Sequence, residues 1–394
     1  MRRMDTKVPG VLMRGGTSKG VVLHRDALPL QGSLRDAVIL SMFGSPDRRQ
    51  IDGLGGAEPL TSKVAIVSRS TRPDADVDYT FGQVGIEDAS INYAVTCGNM
   101  VAAVGPFAID EGIIPAQEPL TRVRIYNTNT SKIILADVPV LQGRARCDGD
   151  CVIDGVPGSG AGIRLTFLQP AGAITGRLLP TGQAREVLQS EHGPVLVSLV
   201  DSGTLYAFIP AAHFGLSGDE TAATVERRPE LMDAVAAVRR AAAIRLMDCG
   251  AVDETLGRRL ATTLKVALVG PGDGAGIDLQ ARIVNPERVH KAFAVTGAVA
   301  LGSAACVAGS VIGDLLPTRG SGRLVIGHPS GRIGVEMTVS SESGRLAIEG
   351  AMVERTARRI MDGHIYLHHG VLGRLEASRG GEQASVEPRL VGEA

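Results

Sequence analysis

The sequence predicts an α+β protein of two related domains, each a curled, mainly antiparallel sheet around one apolar helix. Three observations lead there. Most of the chain reads as short strands and turns, with few helical stretches. Two pairs of segments resemble each other across the chain. The length of 394 residues exceeds what one hydrophobic core ordinarily organises.

The first pair of segments is Met13-Arg14-Gly15-Gly16-Thr17-Ser18-Lys19-Gly20-Val21-Val22-Leu23 and Val200-Asp201-Ser202-Gly203-Thr204-Leu205-Tyr206-Ala207-Phe208-Ile209. In both, a strand enters a Gly-Thr turn and a second strand leaves it. The second pair runs from Asn92 through Cys97-Gly98 into a small-residue helix, and from His290 through Thr296-Gly297 into Ala298-Val299-Ala300-Leu301. Gly203 lies 187 residues beyond Gly16 and Thr296 lies 199 beyond Cys97, so the offsets are similar. The expected division is residues 1–183, completed by a strand near 350–370, and residues 184–350, with the boundary near Pro180-Thr181-Gly182. Residues 371–394 show little periodicity and are expected to fray.

Ser33 is placed as the cap of a first helix that runs to about Phe43 and stops at Gly44. Arg122–Tyr126 and Ile133–Val138 read as strands flanking an Asn/Thr-rich turn. A helix is expected from about Glu230 to Asp248, with Leu231, Val235, Val238 and Ala242 on one face and Gly250 just past its end. Arg323–Gly327, Ile333–Met337 and Leu346–Ile348 follow one another through Pro-Ser-Gly and Glu-Ser-Gly turns as a meander.

Composition narrows the function classes. Hydrophobic content of 44%, charged content of 21% and a formal net charge of −1 describe an ordinary soluble globular protein. With no basic excess, 3% aromatics and no Trp, nucleic acid is not an expected partner. The basic N-terminus leads into Val8-Pro9-Gly10 without an apolar stretch, unlike a signal peptide. Residues 292–313 carry no charge, yet their Ala, Gly, Ser and Thr would drive membrane insertion weakly, and a helix buried in a soluble domain is expected instead. Five scattered cysteines do not form a disulfide framework and fit a reducing cytoplasm. A homodimer is the common default for association.

The chemistry centres on Cys97-Gly98-Asn99 and Thr61-Ser62-Lys63. A cysteine ahead of Met100-Val101-Ala102-Ala103-Val104 reads as a thiol at the first turn of a buried helix, where free N–H groups and the helix dipole favour an anion. The same field activates a thiol. Lys63 leads an apolar run, Val64-Ala65-Ile66-Val67, where desolvation would bring its pKa toward neutrality. Together they form a toolkit for moving a proton next to a carboxylate. From residue types alone, a solvated lysine at a strand start and a small buried cysteine are the ordinary readings.

The loop Arg14-Gly15-Gly16-Thr17-Ser18-Lys19-Gly20 lacks the spacing of a nucleotide phosphate loop and precedes a strand. Its backbone donors, hydroxyls and cations suit a carboxylate or an ordinary turn. Asp52-Gly53-Leu54-Gly55-Gly56 is a second Gly-rich loop, just ahead of Thr61-Ser62-Lys63. Cys147 and Cys151 have no partner pair at zinc-finger spacing, and His364, His368 and His369 lack carboxylate context, so no metal is expected. Cys249 and Cys306 read as small buried hydrophobes, while His290 and His328, beside Gly-rich turns, suit substrate contact or structure equally.

With these residues assembled, the chain resembles the PrpF family. The resemblance is carried by Leu12–Gly20, Asp52–Ala57, Thr61-Ser62-Lys63, Asp76-Val77-Asp78-Tyr79, Cys97-Gly98-Asn99 with Val104–Ala108, Leu179–Gly182, His328-Pro329-Ser330-Gly331 and Arg355-Thr356-Ala357-Arg358. These matches run in order over about residues 8 to 366. The resemblance implies the diaminopimelate epimerase-like fold, with two pseudo-symmetric domains and a ligand cleft between them. It implies a cofactor-independent isomerase of unsaturated di- and tricarboxylates. It implies Lys63 and Cys97 as the acid/base residues. The expected substrate contacts are Arg14, Gly16, Thr17, Ser18, Lys19, Asp52, Gly53, Ser62, Gly98, Asn99, Thr296 and Gly297. Amino-acid epimerases of this fold use two thiols. Here the expected counterpart of Cys97 is Thr296, which argues for a single-face proton shift.

The expected reaction is a 1,3-allylic proton shift in an unsaturated tricarboxylate, with 4-oxalomesaconate, a keto-tricarboxylate of aromatic breakdown, as the leading substrate. The alternatives within the family are 2-methylaconitate, methylitaconate and aconitate. A non-catalytic carboxylate-binding protein on the same fold is the alternative of a different class.

Overall fold

In the computed structural model the described residues are 7–30, 32–286, 288–316, 322–342, 345–368, 370, 371 and 373. Most of the tail from 371 onward, His369 and the centre of the Glu-Ser-Gly turn at 342–344 lie outside them.

In chain order the first elements are β1 (Lys7–Gly15), β2 (Ser18–His24), α1 (Gly32–Phe43), β3 (Lys63–Arg69), β4 (Val77–Val84), β5 (Ile91–Asn92), α2 (Gly98–Asp110), β6 (Leu120–Asn127), β7 (Lys132–Leu141), β8 (Arg144–Ala145) and β9 (Ile163–Leu168). There follow β10 (Glu186–Ser190), β11 (Gly193–Ser202), β12 (Thr204–Pro210), α3 (Ala222–Glu226), α4 (Pro229–Asp248), α5 (Glu254–Thr263), β13 (Lys265–Pro271) and β14 (Leu279–Val284). The last are α6 (Val295–Cys306), β15 (Arg323–His328), β16 (Gly331–Glu342), β17 (Arg345–Arg355) and β18 (Ala357–Tyr366).

One pattern of strand pairing occurs twice. The hairpin β1–β2 turns at Gly16, and the hairpin β11–β12 turns at Gly203, with φ of 50° and 68° at the two glycines. These left-handed conformations favour glycine on steric grounds. After each hairpin come a parallel pair (β2–β3, β12–β13), an antiparallel pair (β3–β4, β13–β14), a second parallel pair (β4–β6, β14–β15) and antiparallel strands (β6–β7, β15–β16). Strand β17 joins the two runs, pairing β16 with its first part and β9 with its last. The chain then returns, and β18 pairs along the whole of β1.

Each run wraps one helix. From Gly98 to Ile109 every residue of α2 is buried, against β1, β2, β7 and β18 among others. A helix apolar all round belongs inside a core, and small residues let sheets close on it. Gly105 shows this, since a Cβ there would come within 2.6 Å of Val138. Helix α6 is likewise buried from Val295 to Ala304, against β11, β12, β16 and β17. The helical part of the uncharged stretch at 292–313 is therefore core. No helix among the described residues is long and apolar enough to cross a membrane.

The long helix α4 buries Leu231, Val235, Val238 and Ala242, as its periodicity predicts, and Gly250 follows it at φ 70°. Helix α1 begins at Gly32, so Ser33 lies within its first turn rather than ahead of it. Helix α5 was not anticipated. Asp253 caps it, accepting from the Leu256 N–H at 2.7 Å, a local signal at the level of single residues.

Candidate active site

The N-termini of α2 and α6 meet at a cavity of about 330 Å³ between the two runs of sheet. Cys97, Gly98 and Asn99 line it from one helix, and Ala294, Val295 and Thr296 from the other. The side chain of neither N-cap residue, Cys97 or Ala294, caps its helix, so first-turn N–H groups remain free for a ligand.

Lys63 enters this cavity from the first position of β3 and is only 6% exposed. Its neighbour in the sheet, Gln83 on β4, accepts from Nζ at 2.7 Å. The Gln83 amide is oriented by donating from Nε2 to the carbonyls of Ser62 at 2.9 Å and Pro59 at 3.1 Å. That leaves Oε1 facing the lysine. The Phe81 ring lies 5.1 Å from Nζ. Burial pushes the Lys63 pKa down, and nearby Cys97 opposes the shift by charge and hydrogen bonding. A depressed lysine carries more of its neutral, basic form at neutral pH.

Cys97 is partly buried, and its Sγ stands 3.8 Å from the Ser18 hydroxyl. The Tyr79 hydroxyl donates to the Cys97 carbonyl at 3.3 Å and steadies the entry to α2. Lys63, Cys97, Ser18, Gly98, Asn99 and Thr296 thus come together around one cavity.

Other expected contacts do not reach it. Asp52 and Gly53 are exposed and lie elsewhere: the Asp52 carboxylate is 2.8 Å from His368 Nε2, and Gly53 packs so closely under Gly44 that a Cβ would come within 2.1 Å of the Gly44 nitrogen. Their glycines serve the chain reversal after α1. Arg14 braces its own loop, with Nη1 donating to the carbonyls of Gly16 at 3.0 Å and Thr356 at 2.9 Å. Gly16 and Thr17 pack on Asn99, whose Oδ1 accepts from the Thr17 N–H at 3.3 Å. The Lys19 N–H donates to the Leu60 carbonyl at 2.9 Å, tying the loop to the segment ahead of β3. Ser62 is buried and donates to Gln50 Oε1 at 2.6 Å. Gly297 lies under Tyr206, whose hydroxyl would be 2.8 Å from a Cβ there.

The first-turn hydrogen bonds are Val101 N–H to Cys97 carbonyl and Ala298 N–H to Ala294 carbonyl. Cys97 is the N-cap of α2, while Thr296, its expected counterpart, is the second residue of α6 and lines the same cavity. A threonine hydroxyl is not a useful base near neutral pH.

Several lining residues escaped the sequence reading: Gln83, Tyr206, Lys265, Asn285, Arg288 and Lys291. A signal existed for Lys265, since Lys265-Val266-Ala267-Leu268-Val269 repeats Lys63-Val64-Ala65-Ile66-Val67. His290 lines the cavity with its pKa lowered to about 4, chiefly by burial, so it is neutral at pH 7. His328 is not at the cavity and stacks near Phe293 instead.

Comparison with known proteins supplies the context. A family model described as PrpF protein matches residues 5–368. The chain is 42% identical over 378 residues to 3-methylitaconate isomerase of Eubacterium barkeri, covering 93% of this chain and 98% of that one. It is 41% identical over 372 residues to 4-oxalomesaconate tautomerase of Pseudomonas putida, covering 94% and 98%. The crystal structure of a methylitaconate-delta-isomerase matches with a TM-score of 0.74 at 41% identity, over 93% of this chain and 97% of that one. A hydroxyproline epimerase from Agrobacterium vitis matches with a TM-score of 0.55 at 13% identity, over 92% and 93%, a likeness of fold alone. The α+β, epimerase-like fold expected from the sequence is the fold of this chain.

Proposed function

The chain belongs to the PrpF family and is an isomerase, and from that premise we propose that it moves a proton across an allylic system in an unsaturated tricarboxylate, 4-oxalomesaconate first among them. The observation that supports this reading is Lys63: an amine with a depressed pKa, held by Gln83, beside Cys97 and the open N-terminus of α2.

The neutral Lys63 amine takes a proton from the carbon next to a C=C–carboxylate or C=C–keto unit. The C–H electron pair moves into the conjugated system as a dienolate, and an N–H bond forms on Lys63. Negative charge on the dienolate falls opposite the Gly98 and Asn99 N–H groups, donors that need no reorganisation. Lys63 returns the proton at the far carbon and is neutral again; where the Cys97 thiol delivers it, the Lys63 ammonium then passes its proton to the resulting thiolate, so either route displaces the double bond with no net change in redox state.

The relatives named above differ in substrate while lying at 42% and 41% identity, so identity does not select among acids. Proton NMR in D₂O does. The protein is incubated with 4-oxalomesaconate tautomers, 2-methylaconitate, methylitaconate and trans-aconitate, beside Lys63→Ala. Deuterium entering one allylic carbon as the double bond moves is the expected result, with turnover lowered by about a thousandfold in the variant. Wild-type rates in Lys63→Ala would remove it as the base. Binding without exchange by any acid would favour a carboxylate-binding protein.

A further inference from the structure

A second lysine, Lys265, lines the same cavity from the other half of the molecule. It is built as Lys63 is. Lys63 opens β3, which runs parallel to β2 and antiparallel to β4. Lys265 opens β13, which runs parallel to β12 and antiparallel to β14. In the first case the residue in register is Gln83, and its amide oxygen accepts from Nζ at 2.7 Å. In the second, the pairing Val266↔Val284 carried one step further sets Asn285 opposite Lys265, and its amide oxygen accepts from Nζ at 3.1 Å. The repeated Lys-Val-Ala-(Ile/Leu)-Val run is the sequence form of this duplication.

The two amines differ in surroundings. Lys63 is almost wholly covered, donates to Gln83 and lies beside Cys97, which lines the same cavity. Lys265 is only partly buried, and among the described residues its amine donates to Asn285 alone, leaving N–H donors for a ligand. Among the described residues neither lysine is ion-paired with a carboxylate, and Glu58, which lines the cavity, is engaged by Lys291 at 2.7 Å. Two amines facing one cavity without an acidic partner disfavour each other's charge, a cost that an anionic ligand offsets.

We propose that Lys265 binds a carboxylate of the substrate and sets its position, while Lys63 handles the proton. The assignment rests on the isomerase reading above, and makes the duplicated strand a substrate anchor instead of a second base. It also favours substrates with a carboxylate remote from the migrating double bond.

The test is calorimetric binding of tricarballylate, a saturated tricarboxylate with no double bond to move, to wild type, Lys265→Met and Lys265→Arg. Loss of about thirtyfold or more in affinity is expected for Lys265→Met, because the carboxylate loses its charged partner. Lys265→Arg, which keeps the charge, should restore part of it. In turnover, KM should rise more than kcat falls. Unchanged affinity in Lys265→Met overturns the anchor while leaving the isomerase reading intact. Failure of wild type both to bind tricarballylate and to turn over any acid of the panel overturns the two together. If Lys265→Met does not fold, Lys265→Gln, which keeps a hydrogen-bond donor toward Asn285, carries the same comparison.

Discussion

A Cβ built on Gly98 would stand 2.7 Å from the Cβ of Val295. These are the first residues of α2 and α6, so only a glycine lets the two helix ends meet and share one cavity. Gly98→Ala should therefore destabilise the protein by about 1–3 kcal/mol, the usual range for overpacking. Adding Val295→Ala should recover part of the loss. Urea denaturation of the three proteins checks this, and equal stability of Gly98→Ala and wild type would contradict the close approach.

Gln83 holds Lys63 without charge. Gln83→Glu puts a carboxylate at that contact and should raise the lysine pKa by about 1–3 units. Less neutral amine then remains at pH 7, so turnover there should fall about 10- to 1000-fold and recover as the pH is raised. A pH–rate profile unmoved from wild type would argue against Lys63 as the base.

The Lys265 pKa is pushed down from 10.5 to about 8, first by burial, then by the charges of Lys63 and Arg239, with Cys97 opposing. Below pH 8 folded and unfolded chains both carry the proton, and the folded state bears the full penalty. Between about pH 8 and 10.5 the unfolded chain still holds a proton that the folded one has released, so stability rises with pH. Above 10.5 the penalty is gone. The stability difference between wild type and Lys265→Met should accordingly grow in favour of wild type across that window. Denaturation at a series of pH values measures it, and a flat difference would refute the depressed pKa.

Cys97 lines the cavity and is partly buried, whereas Cys147 and Cys249 are exposed. A saturating tricarboxylate should slow alkylation of Cys97 and leave the rates at Cys147 and Cys249 unchanged. Peptide mapping by mass spectrometry after a timed pulse of a maleimide reports all three at once. Equal rates at Cys97 with and without the acid would place the ligand elsewhere.

Much of the site was legible because it rests on local patterns. Cys97 ahead of a run of small apolar residues specifies a buried helix start, and Lys63 ahead of Val64-Ala65-Ile66-Val67 specifies a covered strand start. The Gly16 and Gly203 turns announced the duplication, since a tight hairpin needs their backbone freedom. Asp52 and Gly53 misled for the same reason. Glycines that let a loop approach a ligand and glycines that let it approach Gly44 look alike in one dimension.

The sequence by itself determined the class of fold, the helix and strand starts that bear Lys63 and Cys97, and the family. Those depend on periodicity and neighbours within a few residues, where burial leaves a regular imprint. Only the tertiary structure decided which groups share the cavity: that Thr296 faces it with Cys97, that Arg14 braces a loop, and that Lys265 joins Lys63 from 202 residues away. Those relations arise from strand register and helix contact between distant segments, where a shift of one residue exchanges a cavity-facing side chain for one turned the other way.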